Sequence, residues 1–321
     1  MQCNKIIGDK RPEITLIMSA ENNEADEMMS RCASCGVPEN NDIKLKKCTA
    51  CYLVRYCGVK CQKEHWKKHK KECKKRAAEL RDVLLFKQPE SSHYGDCPIC
   101  FSPLSLDPSK SAMMPCCSKS ICIGCDYSNQ KREAEQRLER KCAFCRHLRP
   151  KSVVEAERIL MKRAESNDPV ALRQLGSLRR DEGDYKGAIE YWTKAAELGD
   201  VMAHYQLSYL YNEGTGVEKD EKKDVYHLEQ AAIGGHPEAR YHLGFLEGSN
   251  DRFERAARHW IIAANLGHDD SMEKVKEFHE VGMVSKDDFA STLRAHHAAV
   301  DAMKSPQREA AEADVQYQPR M

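Results

Sequence analysis

The sequence has no long apolar run. Nothing in it approaches the roughly 18 consecutive apolar residues that a membrane-spanning helix requires. The opening MQCNKIIGDKRPEITLIMSA is interrupted by Lys5, Asp9, Lys10, Arg11 and Glu13 before a secretory signal core could form. An excess of either charge is missing too, since 51 basic side chains stand against 50 acidic ones, and so no global field draws the molecule to nucleic acid or to an anionic bilayer. There is no phosphate-cradling glycine loop, no H-E-x-x-H and no nucleophile elbow. Cysteine is absent beyond Cys145, whereas 15 of the 16 cysteines lie between Cys32 and Cys145. That asymmetry predicts at least two domains in a chain of 321 residues. Without an export signal the expected location is intracellular, cytoplasmic or nuclear. Thiols stay reduced there, and regular C-x2-C spacing reads as metal ligation.

The first ligand candidates fall as Cys32-x2-Cys35, Cys48-x2-Cys51, Cys57-x3-Cys61 and His69-x3-Cys73. Eight donors suit two tetrahedral zinc ions, and the four-residue step from His69 to Cys73 puts both on one helix face. So short a segment cannot bury enough apolar surface to fold unaided. Structural zinc contributes about 10 to 16 kcal/mol in finger peptides, enough to decide the matter. His65 rivals His69 for the imidazole position.

With Tyr56-Cys57 ahead of Cys61-Gln62, then Trp66, His69 and Cys73, the cluster resembles the MYND zinc finger over its whole length. The resemblance implies one ion on Cys32, Cys35, Cys57 and Cys61 and another on Cys48, Cys51, His69 and Cys73. Its pattern places the histidine ligand three residues after the tryptophan, which leaves His65 on the surface. It also implies binding of proline-rich peptides and other protein partners. Lys60, Lys63, Lys67, Lys68, Lys70, Lys71, Lys74, Lys75 and Arg76 then read as a solvated helix face that offsets thiolate charge. Nucleic acid is not the expected partner, because no aromatic stacking platform accompanies the basic run. Trp66 reads as part of the finger's small core.

After a helical linker, a second set of sulfurs runs Cys97-x2-Cys100, Cys116-Cys117, Cys122-x2-Cys125 and Cys142-x2-Cys145. With CPIC at its start and CAFCR at its end, this segment resembles a RING finger. The resemblance departs at Lys119, which stands where the family places a histidine ligand, and a protonated lysine has no lone pair to give. Cys97, Cys100, Cys122 and Cys125 are expected to hold one ion. Cys116 and Cys117 either both join Cys142 and Cys145 on the other, or Cys117 alone does so in a weak three-coordinate site, giving three to four zinc ions per chain. A RING acts as a ubiquitin ligase by positioning a charged conjugating enzyme. Ile99 matches the enzyme contact and Arg146 the arginine that braces the thioester, whereas Ala143 replaces the usual proline. The alternative for Ile99 is packing between the ions, and for Arg146 a solvent-facing side chain. The charged SNQKREAEQRLERK between Cys125 and Cys142 reads as an exposed helix.

From residue 168 the chain repeats itself. DPVALRQLG, DVMAHYQLS and HPEARYHLG align, as do KAAELGD, QAAIGGH and IAANLGH. Ala171, Ala203 and Ala239 let helices approach, Leu175, Leu207 and Leu243 fill between them, and Gly199, Gly235 and Gly267 suit left-handed helix ends. Asp168-Pro169 forms a cap with proline at the first helical position, and Pro237 repeats the proline. With EGTGVEKDEKK in the middle unit, the repeats resemble Sel1-like repeats, relatives of the tetratricopeptide family. A degenerate helix near Ser271 to Gly282 and a capping box at Ser285–Asp288 predict a terminal cap. Tyr205, Tyr209, Tyr241 and His242 are candidates for a concave binding face, with packing between helices as the alternative.

The predicted architecture is multi-domain: two small zinc-stabilised cross-brace fingers followed by an all-α helical-repeat solenoid. Its parts are a disordered segment 1–30, a MYND-type finger 31–76, a helical linker 77–95, a RING-type finger 96–150, repeats with a capping helix 151–304, and a disordered tail 305–321. The predicted function is a zinc-binding interaction scaffold that holds proteins or peptides through the MYND finger and the repeats. The alternative is a RING-type E3 ubiquitin ligase that engages a ubiquitin-conjugating enzyme. MYND fingers also occur in lysine methyltransferases, but everything past the two fingers reads as helical repeats.

Overall fold

The computed structural model describes residues 30–315 and 317. The predicted disordered N-terminal segment therefore lies outside the described residues except for Ser30, as do residues 316 and 318–321 of the predicted tail. The chain divides into two compact units, one ending at Lys87 and the other starting at Gln88.

The first unit is an antiparallel hairpin of β1 (Lys46–Lys47) and β2 (Arg55–Tyr56), followed by the helix α1 (Val59–Leu85). Leu45, Ala50 and Tyr56 form its small interior, with Trp66 packed against them. The lysines of α1 are exposed. One helix of 27 residues carries His69 and Cys73 and runs on through the predicted linker. The rest of that linker belongs to the second unit, where Gln88 donates to the Ile262 carbonyl and the His93 backbone N–H to that of Gly235.

The second unit begins with the antiparallel pair β3 (Ser111–Met114) and β4 (Lys119–Cys122) and the helix α2 (Ile123–Glu135). Then come α3 (Val153–Ala164) and three helix pairs: α4 (Pro169–Asp181) with α5 (Tyr185–Glu197), α6 (Val201–Glu213) with α7 (Glu221–Ile233), and α8 (Pro237–Gly248) with α9 (Phe253–Ala264). The array closes with α10 (Asp269–Glu280) and α11 (Lys286–Ala302).

Local chemistry accounts for the repeat. Asp168 Oδ1 accepts from the N–H groups of Val170 and Ala171, and Pro169 occupies the first turn of α4. Gly199, Gly235 and Gly267 take φ of 90°, 84° and 89°, where a side chain would be strained. Ala171, Ala203 and Ala239 are fully buried. In the outer pairs a glycine of the first helix faces a tryptophan of the second: a Cβ on Gly176 would lie 2.5 Å from the Trp192 ring, and one on Gly244 2.2 Å from that of Trp260. Ser285 caps α11 and is bonded reciprocally with Asp288.

Two expectations are corrected. The tail from residue 305 contains a further helix, α12 (Pro306–Ala313), packed on α2, with Ser305 as its cap and Pro306 in its first turn. Charge-rich composition hid it, because its stability comes from docking and not from propensity. The stretch after Cys125 is also not simply a solvated helix. Asp126, Asn129 and Glu133 are buried, with Asp126 paired to Arg149 and Glu133 accepting from the Lys141 N–H.

Candidate metal centres

Each centre is built on a short knuckle closed by one backbone hydrogen bond. The N–H of the residue four after the first cysteine returns to that cysteine's carbonyl: Gly36 to Cys32 at 2.9 Å, Tyr52 to Cys48 at 2.9 Å, Phe101 to Cys97 at 2.8 Å and Arg146 to Cys142 at 3.0 Å. All four residues have positive φ, 73°, 58°, 57° and 62°. Only Gly36 adopts this without penalty. For the other three the left-handed conformation costs about 1 to 2 kcal/mol each, which metal binding easily offsets.

These turns bring four groups together, with the ligand atoms of each within 4.8 Å of one another. Cys32, Cys35, Cys57 and Cys61 form the first, Cys48, Cys51, His69 and Cys73 the second, Cys97, Cys100, Cys122 and Cys125 the third, and Cys116, Cys117, Cys142 and Cys145 the fourth. Sulfur separations include 3.6 Å for Cys35–Cys57, 3.8 Å for Cys48–Cys73, 3.8 Å for Cys100–Cys122 and 3.3 Å for Cys116–Cys145. A tetrahedron with zinc–sulfur bonds of about 2.3 Å has edges of about 3.8 Å. The described cysteines form no disulfide. The donor sets and spacings fit structural zinc.

Thiol acidity points the same way. In the second group the bond from Cys51 lowers Cys48 to about 4 while Cys51 is pushed up by the same contact, and Cys117 falls to about 5 beside Cys116, which is pushed up. Four adjacent sulfurs ionise together only when a cation is shared among them.

His69 places Nε2 3.2 Å from Cys51 Sγ. His65 is not simply on the surface. Its Nδ1 is hydrogen-bonded to the Tyr56 hydroxyl at 3.1 Å, and its ring stacks on His69 with centroids 5.7 Å apart, so it orients the imidazole that joins the sulfurs.

In the fourth group Cys116 and Cys117 share the loop of the β3–β4 hairpin, which Ser118 closes at φ 55° with its N–H on the Met114 carbonyl. Arg163 of α3 clasps that loop, donating to Ser118 Oγ at 2.8 Å and to the Cys116 carbonyl at 3.2 Å. Lys119 points outward on β4. Cys122 caps α2 and its sulfur accepts from the Cys125 N–H, so two donors of the third group sit at a helix N-terminus. Ile99 is 38% exposed. Arg146 is exposed at its backbone turn, and its guanidinium donates to Asn129 Oδ1 at 2.9 Å.

Tyr205, Tyr209, Tyr241 and His242 line an open groove between α6 and α8. Tyr209 is 55% exposed there, while Tyr205 stacks on His236.

Residues 32–73 match the family model of the MYND finger, and residues 169–200, 201–236 and 237–268 each match that of the Sel1 repeat. The chain is thus a zinc-finger protein with a Sel1-repeat solenoid. It is 51% identical over 53 residues to histone-lysine N-methyltransferase ASHR1 of Arabidopsis thaliana, covering 16% of this chain and 10% of that protein. It is 33% identical over 81 residues to SET domain and MYND-type zinc finger protein 6 of Schizosaccharomyces pombe, covering 25% and 15%. The chain therefore spans only 10 to 15% of the length of these two relatives. A Sel1 repeat protein from Oxalobacter formigenes matches over 56% of this chain and 74% of its own, at 22% identity and a TM-score of 0.41. No helix among the described residues is long and apolar enough to cross a membrane.

Proposed function

We propose that this protein is a zinc-dependent scaffold that joins protein partners, one through the MYND finger and another through the repeat array. The observation that carries this reading is the open aromatic groove. Tyr209 and Phe245 are 55% and 42% exposed on the array, where side chains used only for packing would be covered. The MYND finger supplies a second surface built by metal and suited to proline-rich peptides. Four zinc ions per chain hold the parts, with Cys116 and Cys117 both ligating the fourth. Native mass spectrometry tests that count, and three ions would remove the adjacent-cysteine site. Peptides selected from a random library on the full chain test the scaffold: one class is expected to be lost with Tyr209→Ala and another with His69→Ala. Selected peptides that bind both variants as tightly as the parent would overturn it.

A second reading, a RING-type E3 ubiquitin ligase, is favoured by the crossed order of the third and fourth groups along the chain and by the exposure of Ile99 within the Cys97–Cys100 knuckle. The bond from Arg146 to Asn129 counts against a free thioester brace. Autoubiquitination lost with Ile99→Ala at unchanged zinc content would support this reading. Silence across a panel of conjugating enzymes would remove it.

A further inference from the structure

The middle Sel1 repeat breaks the pattern of its neighbours at three positions that line one groove. Counting back from Gly199, Gly235 and Gly267, the position of Ala188 and Ala256 is held by Asp224, and that of Trp192 and Trp260 by Leu228. Opposite, on the first helix of each pair, Gly176 and Gly244 correspond to Ser208. In the outer repeats the indole presses against the glycine and the alanine is fully buried. In the middle repeat the indole's bulk is gone and a carboxylate stands where a methyl group would pack.

The result is a groove of about 420 Å³ floored by α7 and walled by α6 and α8. Asp224 lies on its floor, 5% exposed. Asn212 Nδ2 donates to Asp224 Oδ2 at 2.7 Å, and among the described residues no cation pairs with this carboxylate. Asp224 stands in the first turn of α7, where the helix N-terminus favours a carboxylate, and a cation in the groove would supply the counter-charge that one neutral amide does not. The walls are Tyr205, Tyr209, Tyr241 and Phe245, whose ring faces attract cations. The lining includes a second carboxylate, Glu213, and no lysine or arginine, although Lys274 lies over the Phe245 ring at 5.6 Å and pairs with Glu277.

We infer that the groove over Asp224 is a pocket for a cationic side chain, lysine or arginine, presented by a partner peptide. The inference rests on the scaffold reading and names the chemistry of one of its partners. A lysine or arginine stem would lie along the aromatic walls while its head reaches the Asp224 carboxylate and displaces groove water.

The outer repeats also supply the control. Asp224→Ala restores the residue found at Ala188 and Ala256, so it is compatible with the fold. Leu228→Trp combined with Ser208→Gly restores the other two positions and fills the groove. The probes are fluorescent heptapeptide pools, random except for a central lysine, arginine, norleucine or glutamate, titrated against the full zinc-loaded chain. The lysine or arginine pool is expected to bind about tenfold or more tighter than norleucine, as one buried charge-assisted contact gives. That preference is expected to vanish in Asp224→Asn and Asp224→Ala, with binding lost in the filled double variant. Pools that bind without cation preference, or a preference that survives Asp224→Asn, would overturn this inference and leave the scaffold standing. Failure of every pool to bind would remove the inference together with the array's share of the scaffold reading.

Discussion

Consider replacing Arg308 with glutamine. The side chain is buried, with Nη1 donating to the Pro103 and Met303 carbonyls at 2.6 Å each and Nη2 to the Ser102 carbonyl at 3.3 Å and Cys100 Sγ at 3.8 Å. No carboxylate pairs with it among the described residues, so its counter-charge is the third metal group, which carries a formal minus two with zinc and four thiolates. Unit charges about 5 Å apart in an effective dielectric of about 20 attract by about 3 kcal/mol. Each hydrogen bond from a charged donor adds about 1.5 to 3 kcal/mol, of which glutamine recovers a part. The net loss is of the order of 3 to 5 kcal/mol. A helix of 8 residues has no such reserve of its own, so α12 is expected to undock. Hydrogen exchange read by mass spectrometry should show residues 305–315 losing protection, with the zinc count checked in the same samples. Gly124→Ala should do the same without touching the charge, because its Cβ would lie 2.8 Å from the Arg308 backbone nitrogen. Unchanged protection of α12 in both variants would refute the reasoning.

In the first unit, His69→Ala is expected to cost one zinc ion by native mass spectrometry, whereas His65→Phe keeps the count and releases metal faster to a chelator. Gly176→Ala drives a methyl group into the Trp192 ring at 2.5 Å and should cost about 1 to 3 kcal/mol in denaturant titration. Phe101→Gly, at an exposed position with φ 57°, should instead stabilise the third knuckle by about 1 kcal/mol, measured in the same way. The array's stability should fall between about pH 6.5 and 4. Burial holds the His93 imidazole at about 4, so the unfolded chain takes up the proton first as pH drops. The His93 contribution is complete above the ordinary histidine range and is lost toward the depressed value, by an amount on the order of 3 kcal/mol. His204, His227, His236 and His259 are depressed by burial in the same way and share the slope, so His93→Phe, whose buried ring nitrogens lose no partner, should reduce it by one histidine's share at no cost near neutral pH, and a slope unchanged in thermal melts would refute the assignment.

The parts of this molecule that can be read from sequence are those whose cause is local. A C-x2-C pair, an Asp-Pro helix start or a glycine at φ near 90° is fixed by residues within one turn of each other, and the spacing carries the geometry. Pairing a tryptophan with a glycine across the two helices of an outer repeat becomes legible only once the repeat itself is seen. What spacing could not settle was decided across the fold. Adjacency made Cys116 and Cys117 ambiguous as ligands, and their loop is clasped by Arg163, 47 residues beyond Cys116. The burial of Asp126 depends on Arg149 and on Tyr317, whose hydroxyl donates to it at 3.1 Å. α12 reads as a mobile tail until the α2 surface it packs on, and the thiolate charge that holds Arg308, are in view. One non-local feature did leave a mark in the sequence. Aligning the repeats by their glycines exposes Asp224 as a carboxylate at an alanine position, and a buried charge that breaks a repeat signals either a destabilised core or a site that awaits an opposite charge. Because the groove above it is open and aromatic, the second of these is the physically cheaper state.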